Sequence, residues 1–202
     1  MNVLLELLAT QAAALSALEA VAVVLAILYL LLAIREHIGC WYAAGGSTAI
    51  YVWLFLDARL YMESALNVFY FGMAIYGWLV WHRGRDATHE LPVTAWPFAL
   101  HVRAIASIAA LSLGSGYALD NWTDAEFPYI DSMTTWSAIW ATFLVARKVL
   151  ENWWYWLAID LVSILIYWAR DLQLTALLFA VYVIMIPFGL YRWSRSRRAA
   201  AA

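Results

Sequence analysis

The chain has 202 residues, of which 66% are hydrophobic and 13% are charged, and its mean hydropathy is +0.73. This composition excludes a soluble domain built around one core and indicates an integral membrane protein. The formal net charge of −2 gives no sign of a nucleic-acid partner, because the few charges lie in short connections between long apolar stretches. The single cysteine, Cys40, excludes an internal disulfide.

Seven stretches are long and apolar enough to span a bilayer, for which about 20 residues are needed. Before them, the segment "MNVLLELLATQ" lacks the Lys or Arg that begins a cleavable signal, so we predict a short interfacial segment there. Several stretches contain Gly, Ser, Thr or a lone charge, as helices facing a bundle interior do. The predicted fold class is therefore all-α integral membrane, with seven transmembrane helices. They cover residues 17–34, 39–56, 62–81, 97–119, 130–146, 152–169 and 173–193.

The basic residues are distributed unevenly between the two ends of these spans. With seven spans, a cytoplasmic C-terminus places the N-terminus outside, and only Arg59 and Arg170 of the twelve basic residues then lie outside. This bias predicts that orientation. The basic residues on the cytoplasmic side are Arg35, Arg83, Arg85, Arg103, Arg147, Lys148, Arg192, Arg195, Arg197 and Arg198.

The two ends of the chain resemble each other when they are aligned without gaps so that Trp41 lies on Trp153, an alignment that we call the repeat register. Because this shift covers four helices, the paired segments run in the same direction. We therefore predict a single transporter domain, residues 1–202, in which two parallel three-helix bundles (17–81 and 130–193) are joined by a linker helix (97–119). The other identities pair Arg35 with Arg147, Leu60 with Leu172, Leu66 with Leu178, Tyr70 with Tyr182, Met73 with Met185, Gly77 with Gly189 and Trp81 with Trp193.

The sixth span, within "LENWWYWLAIDL", carries its polar and aromatic side chains on one helical face. Spacings of three, four and seven residues align Trp153, Trp156, Asp160, Ser163 and Tyr167. Asp160 falls near the middle of the membrane, where a charge costs about 2.5 to 3.5 kcal/mol, so we expect it to have a partner, a proton or a cationic ligand.

Aromatic and polar residues of other spans complete a candidate substrate site. Indole and phenol faces attract cations by roughly 0.5 to 2 kcal/mol each, so such a cavity suits a flat, positively charged aromatic molecule whose hydroxyls Asn or Thr would bind. The candidate substrate-binding residues are Trp153, Trp156, Asn152, Asp160, Trp41, Tyr51, Asn67, Tyr70, Thr135 and Trp136.

Structural interpretations compete with these functional ones. Asp160 could pair with Arg103, and Asn67 and Tyr70 could hydrogen-bond between helices. The histidines lack metal-ligand spacing, so we expect no metal, no cofactor and only surface or interface roles for His37, His82, His89 and His101. Tryptophans near span ends are typical of the interfacial aromatic belt, the interpretation for Trp81, Trp96, Trp122, Trp168 and Trp193.

Four runs, "REHIGCW", "YVWLFLDARLYMESALNVFYFGMAIYGW", "DSMTTW" and "LVARKVLENWWYWLAIDL", resemble the Pnu family of bacterial B-vitamin transporters, most closely its nicotinamide riboside branch, PnuC. The resemblance covers residues 17–193. It implies a SWEET-like fold in the inner membrane and substrate contacts from Trp153 and Trp156 beside Asn152. It also implies facilitated diffusion of an unphosphorylated vitamin, which a cytoplasmic kinase then traps by phosphorylation. The expected partners are the vitamin and the lipid bilayer, and the sequence leaves open whether the protein forms a homo-oligomer.

Alternatives differ in the features they require. Thiamine and riboflavin are carried by other members of the family, and Asp160 argues against neutral riboflavin. A SWEET-like sugar carrier shares the predicted fold. A retinal photoreceptor needs a lysine inside the last span, whereas the only lysine is Lys148 in a connection. A membrane enzyme needs a nucleophile with a base or a metal cluster, which the sequence does not display, so we predict a transporter rather than an enzyme.

Overall fold

The structure, a computed structural model, describes residues 6, 10, 16–57, 59, 61–84 and 91–200. Most of the predicted interfacial segment, and also Arg85 and His89, lie outside these residues. The described part is all-α, and its seven helices match the seven predicted stretches, although α4 and α7 end later than expected. In chain order they are α1 (Ala17–Ile34), α2 (Cys40–Asp57), α3 (Tyr61–Arg83), α4 (Phe98–Trp122), α5 (Pro128–Ala146), α6 (Asn152–Ala169) and α7 (Gln173–Ala200).

Four segments are long and apolar enough to cross a membrane by length and composition, namely α1, α4, α7 and residues Glu63–Arg83 of α3. Helices α2, α5 and α6 have 18 or 19 residues, and Gly, Ser, Thr, Trp and Tyr interrupt their apolar sequences. Such residues are typical of helices that face other helices instead of lipid.

Six helices form a closed ring. Helix α1 packs on α2 and α2 on α3, while α5 packs on α6 and α6 on α7. The ring is closed because α3 packs on α5 and α7 packs on α1. Helix α4 lies outside the ring against α5, and the His101 ring is hydrogen-bonded to the Tyr155 hydroxyl of α6 at 3.1 Å. His101 is therefore an interface residue, as one of its two interpretations expected.

The turns between ring helices occur at positions that the repeat register pairs. The left-handed backbone conformation, which often ends a helix, occurs at Glu36 after α1 (φ 56°) and at Lys148 after α5 (φ 49°). It occurs again at Arg59 after α2 (φ 58°) and at Asp171 after α6 (φ 57°). The register pairs Glu36 with Lys148 and Arg59 with Asp171, so equivalent residues turn the chain in the same way.

Two tryptophans pack directly against glycines at equivalent positions. A Cβ added to Gly77 would overlap the Trp41 ring, and one added to Gly189 would overlap the Trp153 ring. Only glycine allows so close an approach of α3 to α2 and of α7 to α6.

Each of these indoles also meets a second tryptophan edge-on. The ring centroids of Trp41 and Trp81 are 5.5 Å apart, and those of Trp153 and Trp193 are 5.4 Å apart, both at an interplanar angle of 86°. Trp81 and Trp193 are 3% and 0% exposed, so their assignment to the interfacial belt was wrong. Hydropathy placed them at span ends, but neighbouring helices cover them.

We expect Gly77→Ala and Gly189→Ala each to lower the free energy of unfolding by about 1 to 3 kcal/mol, because the new methyl group overpacks an indole. Gly72→Ala in α3 and Gly114→Ala in α4 are matched controls, since a Cβ there meets nothing within 4 Å. Alanine should raise stability slightly at these two helical sites. Thermal unfolding in one detergent measures all four, and equal effects at the four sites would contradict the packing argument.

Candidate functional site

A cavity of about 410 Å³ lies inside the ring, and all six ring helices contribute to its wall. This volume is within the range typical of small-molecule sites. Its floor is formed at the Arg-rich end of the ring, which we define as the end carrying Arg35, Arg83, Arg147 and Arg192. Side chains that line it are Tyr29, Trp41, Ser47, Thr48, Tyr70, Thr134, Thr135, Thr142, Asn152, Trp153, Trp156, Asp160, Ser163, Tyr167, Phe179 and Tyr182, with several Ala, Leu, Ile and Val residues.

Helix α6 supplies the polar stripe of this wall. The five residues that the sequence aligned on one face, Trp153, Trp156, Asp160, Ser163 and Tyr167, all line the cavity. The exposed Trp154 and Leu161 lie on other faces of the helix. Helical periodicity therefore identified the face of α6 that the cavity uses.

The start of α6 is fixed by the preceding connection. The backbone N–H of Thr94 donates to the Lys148 carbonyl at 3.0 Å, and the N–H of Leu150 donates to the Thr94 carbonyl at 2.8 Å. The Glu151 carboxylate accepts a hydrogen bond from the Trp96 N–H at 3.2 Å. This pairing holds the turn in place directly before Asn152 and Trp153.

Four buried polar atoms at the cavity wall have no hydrogen-bond partner in the described part of the chain. They are the Trp41 Nε1, Trp153 Nε1, Asn152 Oδ1 and Asp160 Oδ1 atoms. The Asn152 amide is held in place because its Nδ2 donates to the Val149 carbonyl at 2.6 Å. Buried polar groups are normally paired, so these two donors and two acceptors are available to a polar ligand.

The alternative pairing of Asp160 with Arg103 is wrong. Asp160 is buried on the cavity side of α6, whereas Arg103 is exposed on α4, outside the ring. Another arginine does form ion pairs in the structure: Arg170 lies 2.8 Å from Asp131 and 3.4 Å from Glu126, at the opposite end from the Arg-rich face.

Three predicted site residues do not line the cavity. Tyr51 lies beyond Thr48 along α2 and stacks on Phe55 with ring centroids 5.5 Å apart. The Asn67 amide donates to the Glu63 carbonyl of its own helix at 2.9 Å. The Trp136 indole points to α4 and donates to the Ser115 hydroxyl at 3.1 Å. Helical spacing does not tell which neighbour a face meets, and the sequence therefore grouped these three residues with the cavity wall.

The other seven candidates line the cavity: Trp41, Tyr70, Thr135, Asn152, Trp153, Trp156 and Asp160. Sequence analysis missed Tyr29, Thr142 and Tyr182. Tyr182 had a usable signal, because it is the repeat partner of Tyr70. Thr142 also had a signal, because the spacing of Thr135, Ala138 and Thr142 places all three residues on one face of α5.

Comparisons with known proteins agree with this architecture. A family model described as "Nicotinamide mononucleotide transporter" matches residues 16–195. The nicotinamide riboside transporter PnuC of Escherichia coli (strain K12) is 24% identical over 209 residues, which cover 91% of this chain and 87% of that protein. The riboflavin/roseoflavin transporter RibM of Streptomyces davaonensis is 29% identical over 135 residues, 62% of this chain and 61% of that protein.

The crystal structure of the vitamin B3 transporter PnuC has the same fold. It superposes with a TM-score of 0.72 at 20% identity, over 97% of this chain and 90% of that chain. Together with the family match over residues 16–195, this similarity confirms the resemblance seen in the sequence. The chain belongs to the nicotinamide mononucleotide transporter family, and PnuC is one of its relatives.

Proposed function

We propose that this protein carries a B-type vitamin across the bacterial inner membrane by facilitated diffusion, with nicotinamide riboside as the first candidate. The observation that carries the proposal is the cavity itself, which is walled by indoles and phenols and holds one buried carboxylate. The family supports transport, and the relative from Escherichia coli is a nicotinamide riboside transporter.

The wall chemistry favours an aromatic cation. Trp41, Trp153 and Trp156 provide aromatic rings, and the Asp160 carboxyl group lies on the same wall. A cation bound beside this carboxyl group would favour its ionised form. A cation over an indole gains about 0.5 to 2 kcal/mol. Asn152 and Thr135 provide hydrogen-bonding groups for the amide or hydroxyls of the ligand.

The ring is best explained as two parallel three-helix bundles, residues 17–81 and 130–193, with α4 as the linker. Two pairs of equivalent features support this arrangement. The chain turns in the same way at Glu36 and Lys148, and the contact of Trp41 with Gly77 is repeated by that of Trp153 with Gly189. Parallel repeats that enclose a midplane site are a known transporter architecture. The positive-inside bias supports a cytoplasmic Arg-rich end and C-terminus.

Thiamine is the main alternative substrate, because it is also an aromatic cation. RibM, a riboflavin transporter, is a relative of this chain, but the matched region covers only 62% of it. A neutral ligand would also provide no positive charge to stabilise an ionised Asp160. A titration of the purified protein with the three vitamins separates these candidates. We also propose that a cytoplasmic kinase traps the imported vitamin and that the protein can form a homo-oligomer.

The first functional prediction concerns energy coupling. Proteoliposomes should equilibrate the labelled vitamin without an imposed gradient, since a passive carrier only equalises concentrations. Accumulation above the external concentration, driven by a sodium or proton gradient, would contradict facilitated diffusion. Flux of labelled glucose would favour the sugar-carrier alternative.

The second concerns the aromatic wall. Trp156→Ala should weaken vitamin binding by roughly 1 to 2 kcal/mol, because cation–π and stacking contact is lost. Trp154→Ala is the matched control in the same helix, because Trp154 is 56% exposed and does not line the cavity. Calorimetric titration of both folded variants with the vitamin tests this prediction. An equal loss of vitamin affinity in the two variants would contradict a role for Trp156 in binding.

The third concerns Asp160. Asp160→Asn keeps the side-chain shape and removes the charge, so a cationic vitamin should lose affinity while its uncharged reduced analogue keeps it. If the carboxylate instead has a packing role, both ligands should lose affinity equally and the thermal midpoint should fall. Titration with both ligands, beside thermal unfolding, distinguishes the two roles.

A further inference from the structure

Two reciprocal hydrogen bonds join the halves of the ring at the Arg-rich end. The Trp81 indole of α3 donates to the Ala146 carbonyl of α5 at 3.1 Å. The Trp193 indole of α7 donates to the Ala33 carbonyl of α1 at 3.0 Å. Each bond therefore connects the helices before residue 84 with the helices after residue 91.

A buried ion pair crosses at the same level. The Lys148 Nζ lies 3.2 Å from the Glu36 Oε2, and the two side chains are 3% and 13% exposed. The Lys148 ammonium also lies 4.7 Å from the centroid of the Trp81 ring, and the Ser196 hydroxyl donates to Glu36 at 3.3 Å. An ion pair this buried depends on both partners, because removal of one leaves an uncompensated charge.

These contacts lie directly between the cavity and the Arg-rich face. Trp41 and Trp153 line the cavity floor, and on their other side they pack edge-on against Trp81 and Trp193. A ligand that leaves the cavity toward the Arg-rich face must therefore pass through this layer.

We infer that this layer is a gate on the Arg-rich side of the transporter, with the Glu36–Lys148 pair and the Trp81 and Trp193 hydrogen bonds as its latch. The inference rests on the proposed transport function. All three latch contacts run between the halves, so the halves can separate here without repacking their own interiors. The Trp–Gly contacts lie within each half and stay intact during opening.

The chain provides its own reporter of this opening. Cys40 is the single cysteine, begins α2, is 0% exposed and belongs to the same buried cluster as Trp41, Trp81 and Trp153. When the layer parts, this thiol becomes reachable. Its alkylation rate therefore measures how often the gate is open.

The experiment measures alkylation of Cys40 by N-ethylmaleimide in the purified full-length protein, without any vitamin. We expect Glu36→Gln to raise the rate at least about tenfold, the population change that about 1.4 kcal/mol produces. Trp193→Phe keeps an aromatic ring and removes the donor to Ala33 together with part of the buried indole, without leaving an unpaired charge, so it should raise the rate by a smaller factor. This variant also keeps the test decisive if Glu36→Gln does not fold.

Arg170→Gln is the matched control. It removes ion pairs of similar length, although more exposed, with Asp131 and Glu126 at the opposite end, and these contacts do not join the helices before residue 84 to those after residue 91. Its alkylation rate should equal that of the wild type. The exchanged pair, Glu36→Lys with Lys148→Glu, should react more slowly than Glu36→Lys alone.

Two alkylation results would contradict the gate. One is an equal increase of the Cys40 alkylation rate in Arg170→Gln, which indicates general loosening of the protein. The other is an unchanged rate in both Glu36→Gln and Trp193→Phe. Because labelling needs no vitamin, failure of the gate is distinct from failure of the proposed transport, which appears as absence of vitamin flux in the wild type. In oriented vesicles, a membrane-impermeant maleimide should label the Glu36→Gln variant only from the Arg-rich face. Labelling from the other face alone also contradicts the assignment.

Discussion

The contact of an indole with a glycine is the constraint on which this ring depends. Trp41 on Gly77 and Trp153 on Gly189 bring helix pairs close enough for the large ring to pack against backbone. In a membrane, helices gain little by leaving lipid for protein, so close packing has to supply the attraction. The same indoles line the cavity, and each also packs edge-on against a second tryptophan. The indole–glycine contacts therefore position both the cavity floor and the tryptophan layer between the floor and the Arg-rich face.

The floor also determines the chemistry of the cavity. With Trp41 and Trp153 held by packing, their N–H groups have no partner among the described residues, and Asn152 is fixed beside them by its bond to Val149. Leaving such groups unpaired costs stability. A ligand that pairs with them recovers this cost, which favours a polar aromatic molecule over a purely apolar one.

Residues that the repeat register pairs differ in their polar groups. In the repeat register, Asp160 corresponds to Thr48, Asn152 to Cys40 and Trp156 to Ala44. The carboxyl group and two of the three cavity tryptophans are thus on α6, while α2 contributes Trp41 and the smaller Ala44 and Thr48. At the Arg-rich end the repeat register pairs Glu36 with Lys148, and their opposite charges form an ion pair across the ring. Identical charges at these positions would repel each other.

The sequence by itself determined the number and approximate bounds of the helices, the repeat register and the face of α6 that lines the cavity. These features follow from local chemistry, because apolar length, helical periodicity and internal similarity are properties of the chain. Tertiary structure decided which faces meet. It directed Trp136 to Ser115, buried Trp81 and Trp193, and paired Lys148 with Glu36 across the ring. Lipid and protein interior are both apolar, so hydropathy cannot distinguish a side chain covered by a neighbouring helix from one covered by the membrane.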